Sequence, residues 1–166
     1  MPKTKIALFC LALCGCDSSP TAQRPVLSWD AYGPVRFGMT VQEAEKTAGP
    51  TTTPFTSKRE PRCDWVSFAS LPEVLFMVES DILTRAETKP GVLNSLGIEH
   101  GMSIEEAQKR APQLRVTPHK YDPNGHYLRL ESPDRKRAIV METKGDKIDE
   151  IRAGLEPSVS YVEGCS

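Results

Sequence analysis

Charge of one sign is what this chain most plainly lacks. Its 21 Lys and Arg face 22 Asp and Glu, and no long run of either sign occurs. A nucleic-acid partner is therefore not expected, because displacing counterions from phosphates needs a basic stripe. Long apolar runs are missing too: the stretch from Ile6 to Leu13 falls well short of the roughly 20 residues that span a bilayer. No Gly-x-Ser-x-Gly elbow, His-Glu-x-x-His pair, phosphate-cradling Gly-rich loop or Gly-x-Gly-x-x-Gly fingerprint occurs. The chain accordingly reads as non-enzymatic, with no cofactor and no metal.

What is there begins with the N-terminus. Lys3 and Lys5 precede the short apolar core, which gives residues 1–15 the layout of a secretory signal. Leu13-Cys-Gly-Cys16 resembles a bacterial lipobox, with Leu at −3, Gly at −1 and the acceptor thiol at Cys16. That resemblance implies cleavage before Cys16 and its lipidation, each buried methylene then contributing about 0.8 kcal/mol of anchoring. The alternative is an ordinary signal peptide cut nearby, with Cys16 merely present. Asp17 at +2 resembles an inner-membrane retention signal of Gram-negative lipoproteins, the outer membrane being the other destination. The expected location is periplasmic, anchored to the cell membrane through the N-terminal lipid. Residues 16–25, polar and Pro-containing, read as a flexible tether.

Processing also simplifies the cysteines. Cys10 and Cys14 leave with the signal and Cys16 takes the lipid, so Cys63 and Cys165 remain as an even pair in an oxidising compartment. A disulfide between them closes a loop of roughly 100 residues, worth up to about 4.7 kcal/mol in the chain-entropy account. A redox or metal-binding pair is the weaker reading, because no Cys-x-x-Cys spacing supports it.

The strongest internal signal is a repeat. Gly38, Met39, Thr40, Val41, Glu43 and Ala44 recur as Gly101, Met102, Ser103, Ile104, Glu106 and Ala107, each 63 positions on. The motif is a helix-start device. Thr40 and Ser103 are N-caps, Glu43 and Glu106 complete capping boxes, and Met39 and Met102 are placed to staple the first turn. Strand-like segments then repeat in parallel: Asp64–Phe68 with His126–Leu130, Leu75–Glu79 with Ala138–Glu142, and Asp81–Ala86 with Lys147–Ala153. The expected fold class is α+β: two tandem half-domains, 26–90 and 91–166, each a helix packed on a 3–4-stranded antiparallel sheet. Whether the halves share one sheet is left open.

The richest polar cluster runs from His119 to Tyr127. Asp122-Pro-Asn-Gly125 signals a turn. Pairing Tyr121 with His126 across it would put His119, Tyr121, His126 and Leu128 on one face, with Lys120, Tyr127 and Arg129 on the other. Two histidines near Asp122 make a weak metal site; histidines bonded across strands or meeting solvent are the favoured reading. His100 reads as a surface residue. Trp29, Tyr32, Trp65 and Tyr127 are candidate aromatic platforms, more simply read as core.

Tandem Gly-Met-Thr/Ser units of this pattern resemble the β-lactamase-inhibitor-protein-like family, and a single unit resembles the small outer-membrane assembly lipoprotein BamE (SmpA-like). Thr117-Pro-His-Lys-Tyr121, Gly125-His-Tyr-Leu128 and Tyr161-Val-Glu-Gly-Cys-Ser166 also resemble segments of small proteobacterial lipoproteins. The inhibitors carry disulfides within their repeats, whereas Cys63 and Cys165 would join the halves. The resemblance implies a protein-binding module: an inhibitor or immunity factor, or an accessory to envelope assembly. Tyr127 and Arg129 are then candidate contact anchors, with His119, Tyr121 and His126 beside them. The alternatives are a glycan- or metal-binding protein working through the His119–Tyr127 hairpin, and a cryptic hydrolase.

Cys16→Ala is expected to abolish incorporation of labelled palmitate and to move the protein from the detergent phase to the aqueous phase in phase partitioning. An unchanged detergent fraction would refute the anchor.

Overall fold

The computed structural model describes residues 24–52 and 63–165. The expected lipid acceptor Cys16, the signal Asp17 and most of the tether lie outside the described residues.

Two short strands, β1 (Ala31–Tyr32) and β2 (Val35–Arg36), lead into helix α1 (Val41–Ala48). Three strands follow, β3 (Cys63–Phe68), β4 (Leu71–Glu79) and β5 (Ile82–Thr88), then α2 (Ile104–Arg110). Four more strands complete the sheet: β6 (Arg115–Pro118), β7 (His126–Glu131), β8 (Arg137–Lys144) and β9 (Lys147–Leu155). A 3-10 turn, Ser158–Ser160, follows β9.

Both helices start where the repeated motif places them, and for local reasons. The Thr40 hydroxyl accepts the Glu43 N–H at 3.2 Å, and the Glu43 carboxylate accepts the Thr40 N–H at 2.9 Å. Ser103 and Glu106 repeat this at 3.2 and 2.7 Å. Those backbone N–H bonds hold both glutamate carboxyls below the ordinary range.

The motif also fastens each helix to a strand. Gly38 N–H donates to Leu83 O and Leu83 N–H to Met39 O, both at 2.8 Å; Gly101 to Ile148 O and Ile148 to Met102 O repeat the pair at 2.8 and 2.9 Å. Gly38 and Gly101 have φ of 95° and 85°, a backbone geometry that side chains resist.

The expectation of two tandem half-domains, each a helix packed on a 3–4-stranded antiparallel sheet, is overturned. The described residues are mostly antiparallel sheet with two helices; β1 pairs with β2 alone, and the other seven strands form one sheet in the order β3-β4-β5-β9-β8-β7-β6. The join is β5 against β9, with Arg85 opposite Gly154, Ala86 opposite Ala153 and Glu87 opposite Arg152. Unjoined, β5 and β9 would each present a row of unpaired backbone groups, and pairing them removes both edges. Gly154 permits the approach: a Cβ there would lie 2.2 Å from Thr84 O and 2.7 Å from Arg85 Cα. One core follows, in which Ala44, Ala48, Ala107 and Ala111 pack with Phe76, Val78, Leu83, Ile139, Met141, Ile151 and Ala153.

Gly154→Ala is expected to destabilise the protein at the upper end of the about 1–3 kcal/mol typical of overpacking. Thr40→Ala and Ser103→Ala should each cost about 1 kcal/mol. Urea denaturation of the three variants checks the order, which fails if the cap variants are the less stable.

Candidate functional site

Alternation along the strands sends Arg85, Glu87, Glu142, Glu150 and Arg152 to the face opposite the helices. Arg85 and Arg152 are 2% and 1% exposed, although each carries a full charge into the middle of the sheet. Their charges are met in a layer. Arg85 pairs with Glu87 and, at 3.4 Å, with Glu150; Arg152 pairs with Glu142 and, at 2.7 Å, with Glu150. Burial pulls the Arg85 guanidinium down, helped by the like charge of Arg152, and burial pushes the Glu87 carboxyl up against the pull of Arg85. At both groups desolvation is the largest cause, and in a buried ion layer it offsets much of the mutual attraction.

Other guanidinium donors reach the segment after β9, while Arg85 Nε is buried without a hydrogen-bond partner. Arg85 Nη1 donates to Tyr161 O at 2.8 Å and Ser158 O at 3.4 Å. Arg152 Nε donates to Val159 O at 2.9 Å. Arg129 Nη1 donates to Ser160 Oγ at 3.0 Å, and its other terminal nitrogen pairs with Glu156. Ser158 Oγ donates to Glu79. Val159, fully buried, packs with Ala138, Val140 and Tyr127 in a second, small apolar cluster. Residues 156–165 thus form a strap across the charged face. Its far end is tied to β3 by the disulfide between Cys63 and Cys165, whose Cα atoms lie 5.3 Å apart. Gly164 rests on the Trp65 indole, where a Cβ would come within 2.6 Å of the ring, and Arg85 lies 5.8 Å from that ring's centroid.

The hairpin differs from its expected register. Pro118 pairs with His126 and Thr117 with Tyr127, so the connection is seven residues rather than four. His119 then falls on the charged face and His126 on the helix side, with Leu128. The two histidines do not converge, and the hairpin metal site loses its geometry. His119 organises the loop instead. Its Nδ1 accepts the N–H groups of Tyr121 and Asp122 at 3.1 and 3.0 Å, which leaves Nε2 to donate to Glu142 at 3.0 Å. Its ring stacks on Tyr127 with centroids 4.5 Å apart. Burial is the main cause that raises the Tyr127 phenol.

Of the other candidates, Arg129 holds the strap and Tyr121 projects from the loop, 60% exposed. Tyr32 is buried and donates to Glu73, while Trp29 packs on the core. His100 is half-buried rather than at the surface, and burial pulls its pKa down. Arg85 and Arg152 were not singled out from the sequence. The signal available was an Arg-Ala pair in the last strand of both repeats, a cation where a buried strand has no use for one.

Between strap and hairpin loop runs an open groove of about 580 Å³, lined by Lys120, Tyr121, Tyr161, Glu163 and both bridge cysteines among others. Tyr161 is 40% exposed, and the Lys120 ammonium sits 4.9 Å from the centre of the Tyr121 ring.

No protein-family model and no curated protein matches this chain. Among solved structures, an extracellular protein containing a SCP domain from Bacillus anthracis str. Ames aligns with a TM-score of 0.45 at 11% identity, over 72% of this chain and 44% of that one. This chain spans less than half of that protein, and a likeness at this level carries no argument about activity.

Arg152→Ala should cost about 3–5 kcal/mol in urea denaturation, because it strands Glu142 and Glu150 beside a buried face. Arg152→Met, which keeps the volume, is expected to cost less when Glu142→Gln accompanies it. Equal losses would show that the layer acts by packing rather than by charge.

Proposed function

We propose that this chain is a lipid-anchored periplasmic lipoprotein that binds another protein through the groove between the strap and the hairpin loop. The observation that carries this reading is the pair of exposed tyrosines, Tyr121 and Tyr161, held at the rim of one open groove with Lys120 and Glu163. Partly exposed aromatics ringed by charge are the anchors that dominate protein interfaces, whereas small-molecule sites are enclosed. Both anchors stand on rigid supports: the loop bearing Tyr121 is held by His119, and the strap bearing Tyr161 by Arg85 and the bridge. Such preorganisation lowers the ordering cost of association. The buried charge layer fits this reading, since its guanidiniums hold the strap in one place.

The resemblance of the Gly-Met-Thr/Ser repeats supports the same class, that of an inhibitor, immunity factor or envelope-assembly accessory. The inner membrane is the proposed site of anchoring, on the strength of Asp17.

A photo-crosslinking residue placed at Tyr121 or Tyr161 is expected to give one discrete protein adduct in intact cells. The same residue at Gln108, on the helix face, should give none. Adducts of equal yield at all three positions, or none at the tyrosines, would overturn the proposal.

A further inference from the structure

Among the described residues, the large apolar side chains at 40% exposure or more are Tyr121 and Tyr161 in the groove, Leu75, and the pair Val26 and Leu93. Backbone pairing brings the last two together. Leu27 bridges Asn94 in parallel, with Leu27 N–H donating to Leu93 O at 2.9 Å and Ser95 N–H to Leu27 O at 2.7 Å. Leu27 and Asn94 are buried, so alternation turns Val26 and Leu93, each one residue earlier, outward side by side. The ridge they form has a firm support: Asn94 Oδ1 accepts the N–H groups of Leu96 and Ile98, both at 3.0 Å. Beside it, Pro25, Pro90 and Leu93 border a cavity of about 370 Å³. Arg24 and Lys89, both exposed, adjoin the two prolines. Of the carboxylates on the cavity wall, Glu73 is taken up by the Tyr32 hydroxyl and Glu99 is half-buried.

What covers this ridge is decided by where the chain comes from. Arg24 stands eight residues after the lipid acceptor Cys16, a path of at most about 28 Å. A body tethered that closely meets the bilayer at an effective concentration on the order of millimolar, so a weak contact is enough to orient it. Aliphatic side chains with long cationic ones beside them suit the boundary between acyl chains and headgroups. Leu27 and Val92, the neighbours of Val26 and Leu93, belong to the core on the helix side. The ridge therefore lies across the sheet from the groove that bears Tyr121 and Tyr161.

We propose that the Val26–Leu93 ridge docks the folded body on the surface of the bilayer that holds its lipid, with Arg24 and Lys89 at anionic headgroups. The inference rests on the lipid-anchored reading and gives the anchored molecule an orientation. Docked by this ridge, the protein turns its groove away from the membrane, where a soluble domain of a partner can reach both tyrosines.

The test uses the protein purified from membranes and reconstituted in vesicles of phosphatidylethanolamine and phosphatidylglycerol, with and without bromines on the acyl chains. Val26→Trp, Leu93→Trp and Tyr121→Trp each add one indole, whose emission is read as the difference from the wild-type chain. A side chain seated about 5–10 Å into the boundary lies within reach of the bromines, so the added emission should fall by about half or more at Val26 and Leu93. Tyr121→Trp should show no loss, and adding Val26→Asp to Leu93→Trp should restore the emission. No quenching at either ridge position, the result a protein occupant would give, overturns the proposal. Equal quenching at Tyr121, or quenching that survives Val26→Asp, overturns it too. Chains that float with the vesicles without quenching sink only this inference; chains that do not float sink the lipid anchor and the docking with it.

Discussion

The pairing of β5 with β9 is the constraint on which the rest of the structure depends. It is a short contact of three register pairs, and it closes only because Gly154 leaves room for the Thr84 carbonyl. Its consequences run in both directions from the sheet. On one side it places the alanine faces of both helices over a single core, more apolar burial than two separate small units could achieve. On the other it sets Arg85 and Arg152 on neighbouring strands, where Glu150 can serve both.

That second side has an unusual economy. A buried ion layer is weak evidence for stability, since taking the charges out of water offsets most of their attraction. Here the shifts of Arg85 and Glu87 both run in the direction of desolvation. What the layer supplies is orientation: guanidinium donors aimed at the carbonyls of residues 158, 159 and 161. These residues define a surface, with His119 and Tyr127 continuing it to the hairpin loop.

How much of this was legible in the sequence follows the range of the forces involved. The capping boxes at Thr40 and Ser103 were legible because each is a contact between residues three apart. The Cys63–Cys165 bridge was reachable by counting thiols. The single sheet was not, because a duplicated sequence shows that two units are alike and not that their last strands meet. The hairpin register failed for a nearer reason. Asp122-Pro-Asn-Gly125 marks a turn correctly, but a histidine ring standing in as acceptor for two N–H groups widened the loop and turned His119 away from His126. Arg85 and Arg152 were visible as residues, yet their role depends on a strap that arrives from 73 positions beyond Arg85.

The bridge also imposes an order of assembly on the molecule. Cys63 is made 102 residues ahead of Cys165, so the bridge waits until all nine described strands have been synthesised. A chain interrupted before Cys165 can cap its helices and pair its strands but cannot tie itself shut. Closure thus records that the β5–β9 pairing and the segment lying over it have come together, and every oxidised molecule is one whose synthesis has passed Cys165.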